Sequence, residues 1–186
     1  RWSSPTDRRD ADRPRVGSRE DVSGGGAGRA VAIQCALVKC ERLVLVNRTA
    51  AKAQVVADEV RPLFQDDHLA GPMERLEAVA WEDDALAHQL DHTDLIINAT
   101  SAGMKLTDPD LLSNGLIQPH HLIYDMVYKP ARTKFIASAE AAGARATNGL
   151  SMLLHQGVIS FETWFNRPAP IDVMREALQK AAAEAS

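Results

Sequence analysis

From Ser23 onward the chain alternates between helix-period and strand-period stretches, and the strand-like runs at 42–46 and 94–98 have continuous apolar centres. A strand that faces water on one side shows alternating apolar and polar residues. A strand covered on both faces does not. Buried strands separated by helices point to an open parallel sheet with helices packed on both sides. The periodicity predicts helices over 27–39, 50–64, 82–90, 133–142, 150–165 and 171–183. It predicts strands over 42–46, 78–81, 94–98, 121–126 and 145–147. Thr49 is the expected N-cap of the second helix, Gly143 the stop of the fourth, and Pro168 with Pro170 separate the last two. Leu154, Val158, Phe161 and Phe165 make one stripe on the fifth helix, expected to be core.

Residues 1–22 differ from the rest, being rich in Arg, Asp, Ser and Pro with little apolar periodicity. That composition is expected to be disordered. The expected division is therefore an aberrant or disordered segment over 1–22 and one domain over 23–186. The chain is 45% hydrophobic, enough for a core, and its net charge of −4 gives no electrostatic case for nucleic acid or an anionic membrane. Cys35 and Cys40 fit neither a zinc site nor a disulfide framework, so no metal is expected and a reducing cytoplasm is the expected setting. No run is apolar and long enough to span a bilayer, and no signal-peptide core stands at the N-terminus. The chain begins with Arg1 rather than methionine and is expected to be a piece of a longer protein.

The segment GGGAGRA at 24–30 opens an apolar helix. Glycines there let backbone amides approach a pyrophosphate at a helix N-terminus. Gly24, Gly25, Gly26 and Ala27 are the candidate contacts, with Gly25 and Gly28 as second and third glycines of the usual spacing. Ser23 stands at the first position, and a flexible glycine linker is the competing reading. The buried strand that normally precedes such a turn is expected to be absent, because GSREDV stands where valines and leucines belong. Each large apolar side chain not buried there forgoes roughly 1.5–3 kcal/mol. Three or four such losses rival a domain's net stability of about 5–15 kcal/mol.

LVLVNRTAAK at 43–52 runs from strand into helix. In a dinucleotide fold an acid at this strand end binds the 2′-hydroxyl of NAD and repels a 2′-phosphate. Here Asn47 replaces the acid and Arg48 follows, with Thr49 adding a hydroxyl and Lys52 a second positive charge. A guanidinium makes bidentate, charge-assisted bonds to phosphate, which argues for NADP. The competing reading is a solvated basic pair at a helix start.

NATSAGM at 98–104 and YDMVYKP at 124–130 each follow a strand, so both stand at the carboxyl edge where ligands bind. Asn98, Thr100 and Ser101 offer hydrogen bonds, Thr100 being the candidate cofactor contact. Asp125 is expected to brace its loop, Met126 to lie against a flat ring, and Tyr128 to offer a hydroxyl. An ordinary turn and core packing are the competing readings. In NGLSMLLHQG at 148–157, Gly149, Met152 and Gln156 share one helix face, a candidate ligand-facing stripe. His155 is expected to be structural.

Taken in order, VLVNRT, DLIINATSAGM, YDMVYKP with Thr133 and Phe135, and NGLSMLLHQG resemble the cofactor-binding half of the shikimate dehydrogenase family, over about 24–180. The resemblance implies a Rossmann-like doubly wound parallel sheet with C-terminal helices. It implies NADP bound by the glycine turn and by Asn47, Arg48, Thr49 and Lys52, with Met126 and Gly149 near the nicotinamide. Met152 joins the candidate cofactor contacts, and Tyr128 and Gln156 are implied contacts to shikimate or 3-dehydroshikimate. The family reduces 3-dehydroshikimate with NADPH on the route to aromatic amino acids. Its proton-transfer lysine and aspartate belong to an N-terminal substrate domain that 1–22 does not supply, and neither Lys105 nor Asp125 stands in the matching motif. No catalytic residue is therefore expected in this chain. A stand-alone NADP-binding module and a fragment without catalysis remain alternatives.

Overall fold

The computed structural model describes residues 15–19 by their backbone, together with 26–64, 75–105, 107–113 and 115–184. The chain divides into two compact units, Arg1–Ile96 and Ile97–Ser186.

The first unit is built on three parallel strands, β1 (Arg15–Arg19), β2 (Arg42–Asn47) and β3 (Leu76–Ala80), in the order β3-β2-β1. All six residues of β2 are buried, as the continuous apolar run requires of a central parallel strand. Helix α1 (Gly26–Leu37) crosses between β1 and β2 and buries Gly28, Ala32, Cys35 and Ala36, a stripe at helical period made of small residues. It ends in a left-handed turn at Lys39, with the Cys40 amide bonded to the Cys35 carbonyl at 3.1 Å and the Lys39 amide to Ala36 at 3.0 Å. Helix α2 (Ala50–Val60) buries Ala53, Val56, Ala57 and Val60 and tightens into a 3-10 turn at Arg61–Phe64. Helix α3 (Asp83–Leu90) leads to β4 (Leu95–Asn98), which carries the chain into the second unit.

Within the second unit the strand order is β4-β5-β6, with β5 (Leu122–Asp125) parallel to β6 (Arg145–Asn148). Helix α4 (Lys134–Ala141) crosses between them. Thr133 caps it by accepting from the Ile136 amide, and Gly143 ends it at φ +78°, where only glycine is unstrained. Two longer helices follow, α5 (Leu150–Phe165) and α6 (Ile171–Glu184).

Two expectations are corrected. A strand does precede the glycine turn. β1 pairs with β2 from Arg15↔Arg42 to Arg19↔Val46. A parallel ladder is made of backbone N–H and C=O groups, so RVGSR can occupy it without a valine-rich sequence. The expected core stripe of α5 is covered only in part, with Val158 and Phe161 half-buried. Leu154 is its buried residue, whereas Phe165 is 57% exposed. The Phe161 and Phe165 rings pack against each other at 4.7 Å, tilted by 41°, beneath the Arg167 guanidinium.

Candidate functional site

In a parallel arrangement every strand ends at the same edge. The register of β1, β2 and β3 sets Arg19, Asn47 and Ala80 at that edge in the first unit. Asn47 is 1% exposed, and its Oδ1 accepts the Thr49 amide at 2.8 Å. Its side chain therefore shapes the turn that starts α2. Thr49 occupies the N-cap position of α2, yet its side chain makes no cap hydrogen bond. Arg48 and Thr49 are exposed and Lys52 is half-buried in the first turn. That turn carries no acidic residue. Cationic side chains beside a helix N-terminus are unfavourable unless an anion joins them. Arg48 and Lys52 thus flank a position suited to phosphate. At α1, Gly26 and Ala27 are exposed at the helix start, while Gly24 and Gly25 lie outside the described residues.

In the second unit a buried polar network occupies the strand ends. Asn98 and Asp125 are 0% exposed and Thr133 is 1% exposed. Asn98 Nδ2 donates to Asp125 Oδ1 at 2.8 Å and to the Ala102 carbonyl at 3.0 Å. Asn98 Oδ1 accepts from the Thr100 amide at 3.1 Å and the Thr100 hydroxyl at 2.7 Å. The Thr100 hydroxyl in turn accepts the Ala102 amide at 3.0 Å. Thr100 was a candidate contact, but its hydroxyl proton is committed within the loop, so any contact it makes is through its remaining surface. Asp125 also accepts the Val127 amide at 3.1 Å and the Thr133 hydroxyl at 2.6 Å. Burial raises its carboxyl above the ordinary range, and the Thr133, Val127 and Asn98 donors pull it back. Asp108 is shifted the other way, since the Lys105 and Gly103 amides hold its carboxylate low.

Met126 is half-buried, and Gly149 is buried directly against it, its amide donating to the Val127 carbonyl at 3.3 Å. Met152 is half-buried and Gln156 exposed on α5. Tyr128 is 41% exposed and lines a cavity of about 160 Å³ with Lys129, Leu150, Leu153 and Leu178. That cavity is mostly apolar, and neither Gln156 nor Met126 lines it. Tyr128 lines that cavity without Gln156, the other expected substrate contact. His155 is exposed on α5.

One device repeats at four strand ends. Asn47, Asn98, Asp125 and Asn148 each accept, through a side-chain oxygen, the amide two residues on. The signal was in the sequence for three of them, as an Asn or Asp closing the apolar runs of β2, β4 and β5. Cys35 and Cys40 form no disulfide and are buried, and burial, with Cys35 nearby, pushes the Cys40 thiol up to about 12. No helix among the described residues is long and apolar enough to cross a membrane.

Residues 149–179 match the family described as Shikimate 5'-dehydrogenase C-terminal domain. Over 165 residues the chain is 34% identical to Shikimate dehydrogenase (NADP(+)) of Desulforamulus reducens, covering 88% of this chain and 54% of that protein. Among solved structures it resembles the ligand-free 5-ketofructose reductase of Gluconobacter sp. strain CHM43, at 31% identity and a TM-score of 0.69, covering 90% of this chain and 56% of that one. It also resembles shikimate 5-dehydrogenase from Listeria monocytogenes in complex with shikimate and NAD, at 26% identity and a TM-score of 0.70, covering 89% and 55%. The chain spans about half the length of the curated relatives it matches. The fold is the α/β, Rossmann-like NAD(P) fold with C-terminal helices.

Proposed function

The chain belongs to the shikimate dehydrogenase family, and we propose that it is the NADP-binding half of an enzyme that interconverts 3-dehydroshikimate and shikimate. The observation that carries the choice of NADP is the corner after β2. No acid stands there, Asn47 is consumed in shaping the turn, and Arg48 is exposed beside an α2 N-terminus without acidic residues. Arg48 holds the 2′-phosphate of the adenosine ribose, with Thr49 and Lys52 as further contacts. Gly26 and Ala27 give backbone amides to the pyrophosphate at the start of α1. The loop at Met126 and the α5 face bearing Gly149 and Met152 orient the nicotinamide. Tyr128 and Gln156 contact the cyclitol substrate.

The bound cofactor supplies the hydride for the ring ketone. No residue of this chain is assigned the proton transfer. Asp125 is fully buried and spent on three donors, so it does not reach a substrate.

The test combines the folded chain with the substrate-binding half of a shikimate dehydrogenase and follows NADPH formation. Formation that depends on shikimate, and exceeds that with quinate, supports the proposal. NADP binding without turnover favours the second reading, a stand-alone NADP-binding module.

A further inference from the structure

We propose that Asp125 is a positioning residue whose carboxylate cross-braces the loops at 98–104 and 126–133, so that both hold one geometry toward the nicotinamide half of the cofactor. The inference rests on the function proposed above and adds a residue and a role to it.

The argument is one of acceptors and donors. A carboxylate offers two oxygens and no donor. Asp125 Oδ1 takes Asn98 Nδ2 from the end of β4 at 2.8 Å and the Val127 amide from its own loop at 3.1 Å. Oδ2 takes the Thr133 hydroxyl, the cap of α4, at 2.6 Å. Each partner passes the constraint on. Asn98 holds Thr100 and Ala102. Thr133 Oγ1 accepts the Ile136 amide at 3.2 Å and so anchors α4. A further backbone bond, Met126 amide to Asn98 carbonyl at 3.0 Å, runs beside the brace. All three side chains are shut off from solvent, so the brace acts only through the loops it holds. An uncharged amide at 125 would present one acceptor oxygen and one donor in place of two acceptors. Satisfied buried networks of this kind specify one arrangement.

Thr133 gives the cleanest test, because its hydroxyl can be removed at nearly constant shape. Thr133→Val deletes the donor and Thr133→Ser restores it. Amide hydrogen exchange comes first and needs no ligand. T133V is expected to speed exchange at Val127, across the brace at Thr100 and at Ala102, by about tenfold or more, with T133S near the parent. Exchange that rises only within α4 would overturn the brace. Calorimetry then uses two probes, NADP and adenosine 2′,5′-bisphosphate, which lacks the nicotinamide half. T133V is expected to lose about fivefold or more in affinity for NADP while holding the bisphosphate within about twofold. Equal loss for both probes, or none for either, would overturn the positioning role. If T133V does not fold, Asp125→Asn carries the same comparison. A parent chain that binds neither probe would sink the NADP reading and with it this role, and is distinguished by appearing before any substitution is made.

Discussion

A Cβ placed on Gly149 would lie 2.2 Å from the carbonyl oxygen of Met126 and 2.8 Å from its carbonyl carbon. The φ of Gly149 is −77°, which any residue can adopt. Closeness, then, and not backbone freedom, calls for glycine here. The start of α5 and the end of β5 meet backbone to backbone, and the segment from Met126 to Tyr128 takes its place from that contact.

Gly149→Ala should therefore destabilise the chain by about 1–3 kcal/mol, the ordinary range for overpacking. Gly26→Ala is the control, since nothing lies within 4 Å of a Cβ built there. It should be neutral or stabilise by up to about 1 kcal/mol, through the unfolded chain. Denaturant melts of both variants check the opposite signs. Equal, small effects would mean that the close approach is not maintained in solution.

Two ion pairs of the first unit should differ sharply. Arg42 is 7% exposed at its side chain, pairs with Glu77 at 3.0 Å and also donates to Gln89. Arg29 pairs with Glu59 at 2.8 Å, but both side chains are open, at 57% and 38%. Glu77→Ala leaves a buried guanidinium short of its charge partner and should cost about 2–4 kcal/mol, somewhat under the range for fully buried pairs because Gln89 remains. Glu59→Ala should cost at most about 1 kcal/mol. Melting curves in low salt decide, and comparable losses would contradict the burial argument.

Asp125 sets a pH dependence with a definite sign. Burial raises its folded-state carboxyl, while the unfolded carboxyl titrates near about 3.9. The folded chain keeps this proton at pH values where the unfolded chain has lost it. The stability Asp125 contributes is thus fully present below about 3.9 and is lost as pH rises through the folded value. Relative to Asp125→Asn, the parent should lose stability across that window and then level off. A difference that grows with pH would mean that the three donors outweigh burial.

Much of this architecture was legible. The span of α5, Leu150–Phe165, is the predicted one, and β2, β4 and β5 fall within a residue or two of their apolar runs. Continuous hydrophobicity identifies a strand covered on both faces wherever it occurs. β1 escaped because its place is made by backbone pairing with β2, which leaves no apolar signature in RVGSR. Phe165 was misplaced for a related reason. Periodicity reveals a stripe, but what covers that stripe is a property of neighbouring elements. Of the candidate site, the basic corner was readable from residue types alone. The roles of Asn47 and Thr100 were not, because a side chain that offers hydrogen bonds to a ligand can offer them equally to its own turn. Here both are engaged with the backbone two residues away.

The central claim is that Arg48 selects NADP, and calorimetry of the parent chain and Arg48→Ala with NADP and with NAD tests it most directly. A charge-assisted bond to phosphate is worth about 1.5–3 kcal/mol, so the substitution should weaken NADP roughly 10-fold to 150-fold. NAD, which lacks the 2′-phosphate, should change by no more than about twofold. Equal weakening of both cofactors, or a parent chain that prefers NAD, would contradict the account.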